Sequence, residues 1–147
     1  MKTTAFLIFC LLAPRAWSLV GETPAMLADG VVLEEGLEVR MLDGGFYRAP
    51  AGRLYPRARL VFKYVGGGKR FHKNVSVDLV EVAGGKRLAG WKTFVSIKPG
   101  KSLNRRYGRE GLAAWDKAED APALALRVGF KDATPKLLPL PALERMP

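Results

Sequence analysis

The run Ala58-Arg59-Leu60-Val61-Phe62-Lys63-Tyr64-Val65 decides the fold class. Leu60, Phe62 and Tyr64 alternate with Val61, Lys63 and Val65, a period of two that belongs to a β-strand with one aromatic-rich face turned inward. The same signature recurs on the C-terminal side. Leu124, Leu126, Val128 and Phe130 line one face opposite Ala125, Arg127, Gly129 and Lys131, and Trp91, Val95 and Ile97 alternate with Lys92, Ser96 and Lys98. In Val75 to Ala83, Val75, Val77 and Leu79 take one side before Val80 and Val82 take the other, which calls for a bulge or a second packed face near Leu79. Phe62, Trp91, Val95, Leu126 and Val128 are the expected core.

Turn chemistry punctuates these runs. Gly66-Gly67-Gly68 follows the first, Gly84-Gly85-Lys86 joins the next two and Pro99-Gly100 closes the third, all residues that tolerate positive φ or fix a bend. Upstream, Val31–Leu33 and Leu37–Leu42 read as short strands, with Asp43-Gly44-Gly45 turning into Phe46-Tyr47-Arg48. About seven strands at this spacing predict an all-β protein, a single antiparallel immunoglobulin-like β-sandwich. Arg109 to Asp120 has helical spacing, with Leu112 and Trp115 three apart, and predicts one or two turns within a loop.

The sandwich is expected over residues 19–133. Residues 1–18 have the layout of a signal peptide: Lys2, an apolar run from Ala5 to Ala13, and small residues at Ala16 and Ser18. The apolar run is far shorter than the roughly 20 residues of a spanning helix. Cleavage after Ser18 therefore predicts a secreted or periplasmic protein with no transmembrane span. It also removes Cys10, the one cysteine, so no disulfide, thiolate nucleophile or cysteine metal site is expected. Phe9 stands before Cys10 where a lipobox has a small residue. Residues 134–147 form a Pro-rich tail containing Pro135, Pro139, Pro141 and Pro147, a density that excludes a regular helix or a central strand. Its leucines, Leu137, Leu138, Leu140 and Leu143, are expected to drape over the sandwich.

Charge is high and segregated. The chain carries 24 Lys and Arg against 14 Asp and Glu, a formal net charge of +10. Between Gly44 and Arg109 there are sixteen basic residues and only two acids, Asp78 and Glu81, whereas Glu22, Asp29, Glu34, Glu35, Glu38 and Asp43 crowd the preceding stretch. Cross-strand pairs between the two regions neutralise part of the excess. Six acids do not cover sixteen bases, so a positive field survives.

Catalytic patterns are poor. His72 is the one histidine and is expected as an exposed loop residue, since a lone histidine without cysteines rarely makes a metal site. Ser96 and Ser102 are distant in sequence and meet it only if the fold brings them there. Gly100-Lys101-Ser102 resembles the end of a phosphate-binding loop, but Val95 stands where that loop needs a glycine. Asn74-Val75-Ser76 fits a glycosylation sequon. No cofactor is expected and the chain is not expected to be an enzyme.

The run Lys73-Asn74-Val75-Ser76-Val77-Asp78-Leu79-Val80-Glu81, then Gly84-Gly85-Lys86, Trp91 to Ile97 and Pro99-Gly100-Lys101-Ser102, resembles bacterial exported immunoglobulin-like or fibronectin-III-like domains of the FxLYD kind. The resemblance spans roughly residues 58–130. Val77, Leu79, Val80 and Glu81 stand at the name-giving Phe, Leu, Tyr and Asp, so the leucine alone is kept. What the resemblance implies is a sandwich with a binding or assembly role in the cell envelope and no catalytic residues.

Basic residues beside aromatic ones complete the pattern. Lys69, Arg70 and Lys73 are expected in one loop with Phe71, and Lys101, Arg105 and Arg106 in another with Tyr107, as candidate anion-binding residues. The expected function is a noncatalytic binding or assembly module whose partner is an envelope protein or an anionic glycan, lipid or nucleic acid. The alternative is an enzyme inhibitor or accessory subunit that occupies a partner's cleft with rigid loops.

Overall fold

The structure is a computed structural model that describes residues 30–109, 111–112 and 115–145. The expected signal peptide lies outside these residues. Among them are nine strands: β1 (Val31–Leu33), β2 (Leu37–Arg48), β3 (Leu54–Tyr64), β4 (Phe71–Glu81), β5 (Arg87–Ile97), β6 (Ser102–Tyr107), β7 (Leu124–Gly129), β8 (Lys136–Pro139) and β9 (Glu144–Arg145). One sheet has the order β1-β2-β3-β6, with β9 pairing parallel to β2, and the other has the order β5-β4-β7-β8. Apart from β9, neighbouring strands pair antiparallel. Counting from β2, the first, second and fifth long strands face the fourth, third, sixth and seventh. This is the Greek-key order of an immunoglobulin-like sandwich with the fourth strand carried on the second sheet.

Alternation places the core where the sequence predicts it. Leu60, Phe62 and Tyr64 of β3 face Val75, Val77 and Leu79 of β4 and Leu124, Leu126 and Val128 of β7, all buried. The expected irregularity in β4 lies between Leu79 and Val80. Trp91 departs from expectation: it is half-buried, because β5 is an edge strand, and its ring packs edge-on against Tyr107 at 5.5 Å. Between these edges Thr93 and Tyr107 share a buried hydrogen bond of 2.6 Å that links β5 of one sheet to β6 of the other. Burial raises the Tyr107 phenol above its ordinary 10.0, while the bond to Thr93 pulls it the other way.

Three local expectations are corrected. Asp43-Gly44-Gly45 is not a turn; β2 runs through it, with a register shift between Met41 and Asp43. The glycines instead make room for the C-terminal segment. A Cβ on Gly45 would lie 2.7 Å from the Leu143 carbonyl, whose oxygen accepts a bond from Phe46 N at 2.8 Å. Among the described residues of 109–120 the helical spacing produces only the 3-10 turn Ala118–Asp120, and Trp115 is held extended by reciprocal backbone bonds to Leu54. Residues 110, 113 and 114 of that stretch lie outside the described residues. Finally, Ser102–Tyr107, expected as a loop, is β6.

The Pro-rich segment is incorporated at the edges. β8 pairs with β7, and Leu138 and Leu140 are buried, whereas Leu137 is exposed. Glu144 of β9 receives two bonds from the Arg48 guanidinium, at 2.9 and 2.8 Å. That pair holds Glu144 below its ordinary 4.5 and raises Arg48.

Candidate anion-binding surface

Two connections cross between the sheets side by side at one end of the sandwich. The loop 65–70 leads from β3 to β4, and the turn 98–101 leads from β5 to β6. Gly100 N donates to the Tyr64 carbonyl at 3.1 Å, which ties the turn to the start of the loop. The triple glycine folds over the Tyr64 side chain, and Gly68 N donates to the Tyr64 hydroxyl at 2.8 Å. A Cβ on Gly66 would lie 2.5 Å from the Tyr64 ring and 2.6 Å from the Glu35 carbonyl oxygen. Gly66 and Gly68 thus allow close packing around a tyrosine.

This crossing brings together part of the expected basic set. Lys69 and Arg70 are on the loop and Lys101 is on the turn, joined by Lys98 and by Lys63 at the end of β3, whose Cα partner is Ser102. None of these five has a carboxylate partner among the described residues. Lys73 is on β4 rather than in the loop and is bound to Glu35 at 2.7 Å, with its ammonium 5.3 Å from the Phe130 ring centre. Arg105 and Arg106 lie three and four residues along β6 from Ser102, about 10–14 Å away at the rise of a strand. As strand neighbours they point to opposite faces, Arg106 beside Arg59 and Arg105 beside Leu60 at the open edge.

Acids of the N-terminal stretch are themselves paired, some across strands and some within one. Asp43 holds Arg59 across β2 and β3 at 2.8 Å, and Glu38 holds Arg40 at 3.3 Å. Glu34 is spent on a backbone amide, that of Thr134, at 2.9 Å. On the outer face of the second sheet Asp78 is bracketed by Arg87 at 3.1 Å and Arg127 at 3.2 Å. The unpaired cations at the crossing therefore face no free carboxylate from these groups.

The rings of the basic stretches are not exposed. Phe71 and Tyr107 are buried in the core. The exposed ring is Phe94, 52% accessible, on the outer face of β5. Strict alternation from Lys92, Ser96 and Lys98 places Phe94 outward, so the sequence carried the signal. The His72 ring stands edge-on to Phe94 with centres 4.7 Å apart. His72 is on β4, paired with Ser96, and not in a loop. Arg70 donates to Ser96 Oγ at 2.9 Å, and the same oxygen lies 2.9 Å from His72 Nδ1. Ser96 Oγ accepts from the guanidinium and is also hydrogen-bonded to Nδ1, with the direction of that second bond set by the imidazole tautomer. The histidine makes no bond to a carboxylate among the described residues. The group thus presents the exposed Arg70 guanidinium beside the His72 ring.

No cluster of three metal-ligating residues occurs among the described residues. No protein-family model matches the chain, and no curated protein matches it. Among solved structures the chain is similar to a beta-glucosidase from Listeria innocua in complex with gluconolactone, with TM-score 0.40 and 11% identity over 70% of this chain. The same enzyme in complex with glucose gives TM-score 0.39 at 11% identity over 70% of this chain. The chain spans 16% of the length of each of those structures.

Proposed function

We propose that this protein is a noncatalytic binding module of the exported, envelope-associated kind, which engages an anionic partner through the basic end of the sandwich. The observation that carries this is the convergence of Lys63, Lys69, Arg70, Lys98 and Lys101 at two adjacent crossovers without carboxylate partners among the described residues. Such a cluster raises the local concentration of polyanions and accelerates their capture. Two facts favour binding over catalysis. The Ser96 oxygen is occupied by a guanidinium donor, and the His72 imidazole has no carboxylate partner among the described residues.

The test is the salt dependence of binding to heparin, an acidic lipid vesicle and single-stranded DNA. Neutralising Lys63, Lys69, Lys98 and Lys101 to glutamine should weaken the binding and flatten its salt slope, because fewer counterions are released. Glutamine at Arg105 and Arg106 should change it less. Equal affinity and equal slope for the native protein and the four-site variant would overturn the proposal.

A further inference from the structure

We infer that the outer face of β4 and β5, where it meets the basic end, is a subsite for one sugar ring of a sulfated or uronate-bearing glycan, with Phe94 as its platform. This rests on the anion-binding role of the basic end and adds a location and a ligand class to it. Phe94 is a large ring left half in water on the outer face of the edge strand β5, where burial elsewhere would be worth more. Around it the strand register arranges short polar groups. Asn74 is its Cα partner, Ser96 lies two residues along on the same face, and Ser76 pairs with Lys92.

Above them stands a built donor group. Arg70, Ser96 and His72 are linked by two bonds of 2.9 Å, so the guanidinium and the imidazole are held in place before any ligand arrives. Lys98 follows on the same face two residues beyond Ser96. Asp78, the carboxylate on this face, is neutralised by Arg87 and Arg127. An acidic sugar matches this arrangement. Its C–H face packs on an aromatic ring, its rim hydroxyls meet amide and hydroxyl groups, and its sulfate or carboxylate meets the guanidinium.

A single-stranded nucleic acid fits less well. Its binding sites offer successive aromatic platforms for successive bases, whereas among the described residues Phe94 is the one aromatic of the exposed large hydrophobic side chains. The other members of that set are aliphatic.

The test uses the full protein and a heparin-derived hexasaccharide, with single-stranded DNA of matched charge as the comparison. Phe94→Leu keeps an apolar side chain at an exposed position and removes the ring. It should weaken hexasaccharide binding by about tenfold with the salt slope unchanged, as expected for a lost ring contact. Arg70→Gln should weaken binding and also lower the slope. In the native protein, amide resonances of Phe94, Ser96 and His72 should shift on titration with the hexasaccharide. If the native protein binds the hexasaccharide with the slope set by the basic end but Phe94→Leu binds equally well, the subsite is wrong and the basic-end proposal survives. A loss on Phe94→Leu confined to DNA would replace the sugar by a base. No hexasaccharide binding by the native protein would remove the subsite outright.

Discussion

The Thr93–Tyr107 bond is the clearest case of one side chain deciding how two sheets meet. Both groups are buried, and the bond closes the open side of the sandwich between β5 and β6. Thr93→Ala leaves the phenol unsatisfied and should cost about 1–3 kcal/mol, measured by urea denaturation. Tyr107→Phe removes the hydroxyl and leaves Thr93 Oγ1 without its partner, and should cost about 1 kcal/mol. The pH dependence has a definite sign. Burial raises the folded phenol above 10.0, so its neutral form contributes stability that is fully present below 10.0 and is lost as pH rises through the folded value. Tyr107→Phe should lack that component of alkaline destabilisation. At Gly66, an added methyl would meet the Tyr64 ring and the Glu35 carbonyl oxygen. Gly66→Ala should therefore cost about 1–3 kcal/mol by overpacking, readable in a thermal melt, with Gly67→Ala much milder because no atom lies near its Cβ position.

At the scale of elements, a strand was legible in proportion to how much of one face it buries. β3 alternates cleanly because its partners cover it on both sides and one face is core, while β7 turns Leu124, Leu126 and Val128 to the core and also buries the small Ala125 and Gly129 on its other face. β6 gave no such signal. It is an edge strand whose sequence, SLNRRY, turns only Leu103 and Tyr107 to the interior, and its arginines made it look like a loop. The helical spacing of Leu112 and Trp115 was real, since both side chains pack on the core, but a backbone bridge to Leu54 satisfies the same pattern without a helix. Gly44 and Gly45 misled for a related reason: close approach of another segment needs glycine as much as a turn does. The edge position of Trp91 also sets an energetic contrast. Phe62→Ala, at the centre of β3, should cost about 3–5 kcal/mol, and Trp91→Ala should cost less because part of that ring is already in water. β9 is held to β2 by strand pairing and the Phe46 N–Leu143 O bond, to which the exposed Arg48–Glu144 pair adds. With Glu144 held below 4.5, the contribution of that pair is fully present above that value and is lost as pH falls through the depressed one. Amide exchange at Phe46 and Tyr47 should accelerate on acidification in the native protein and already be fast at neutral pH in Glu144→Gln.

For the whole molecule, composition announced a positive field but not its shape. Of the six cations expected to act together, Lys69, Arg70 and Lys101 share the basic end, Lys73 is bound to Glu35, and Arg105 and Arg106 lie along an edge. Lys63 joins the group only through strand register, because proximity across two crossovers is a property of topology that no local window contains. The exposed ring obeys the alternation of β5, whereas the rings nearest the charges in sequence are core.

Both crossovers lie at one end, and every long strand runs away from it. A sandwich of this kind captured by an anionic surface would be held by its tip, with its strand axes upright. Eleven residues of β3 span about 35 Å at the rise of a strand. A saturated monolayer on an acidic film should accordingly be about one strand length thick rather than one sandwich width, a difference that neutron reflectometry resolves, and its far end, with the β4–β5 hairpin at Val82 to Lys86, would be the part presented to whatever approaches from solution.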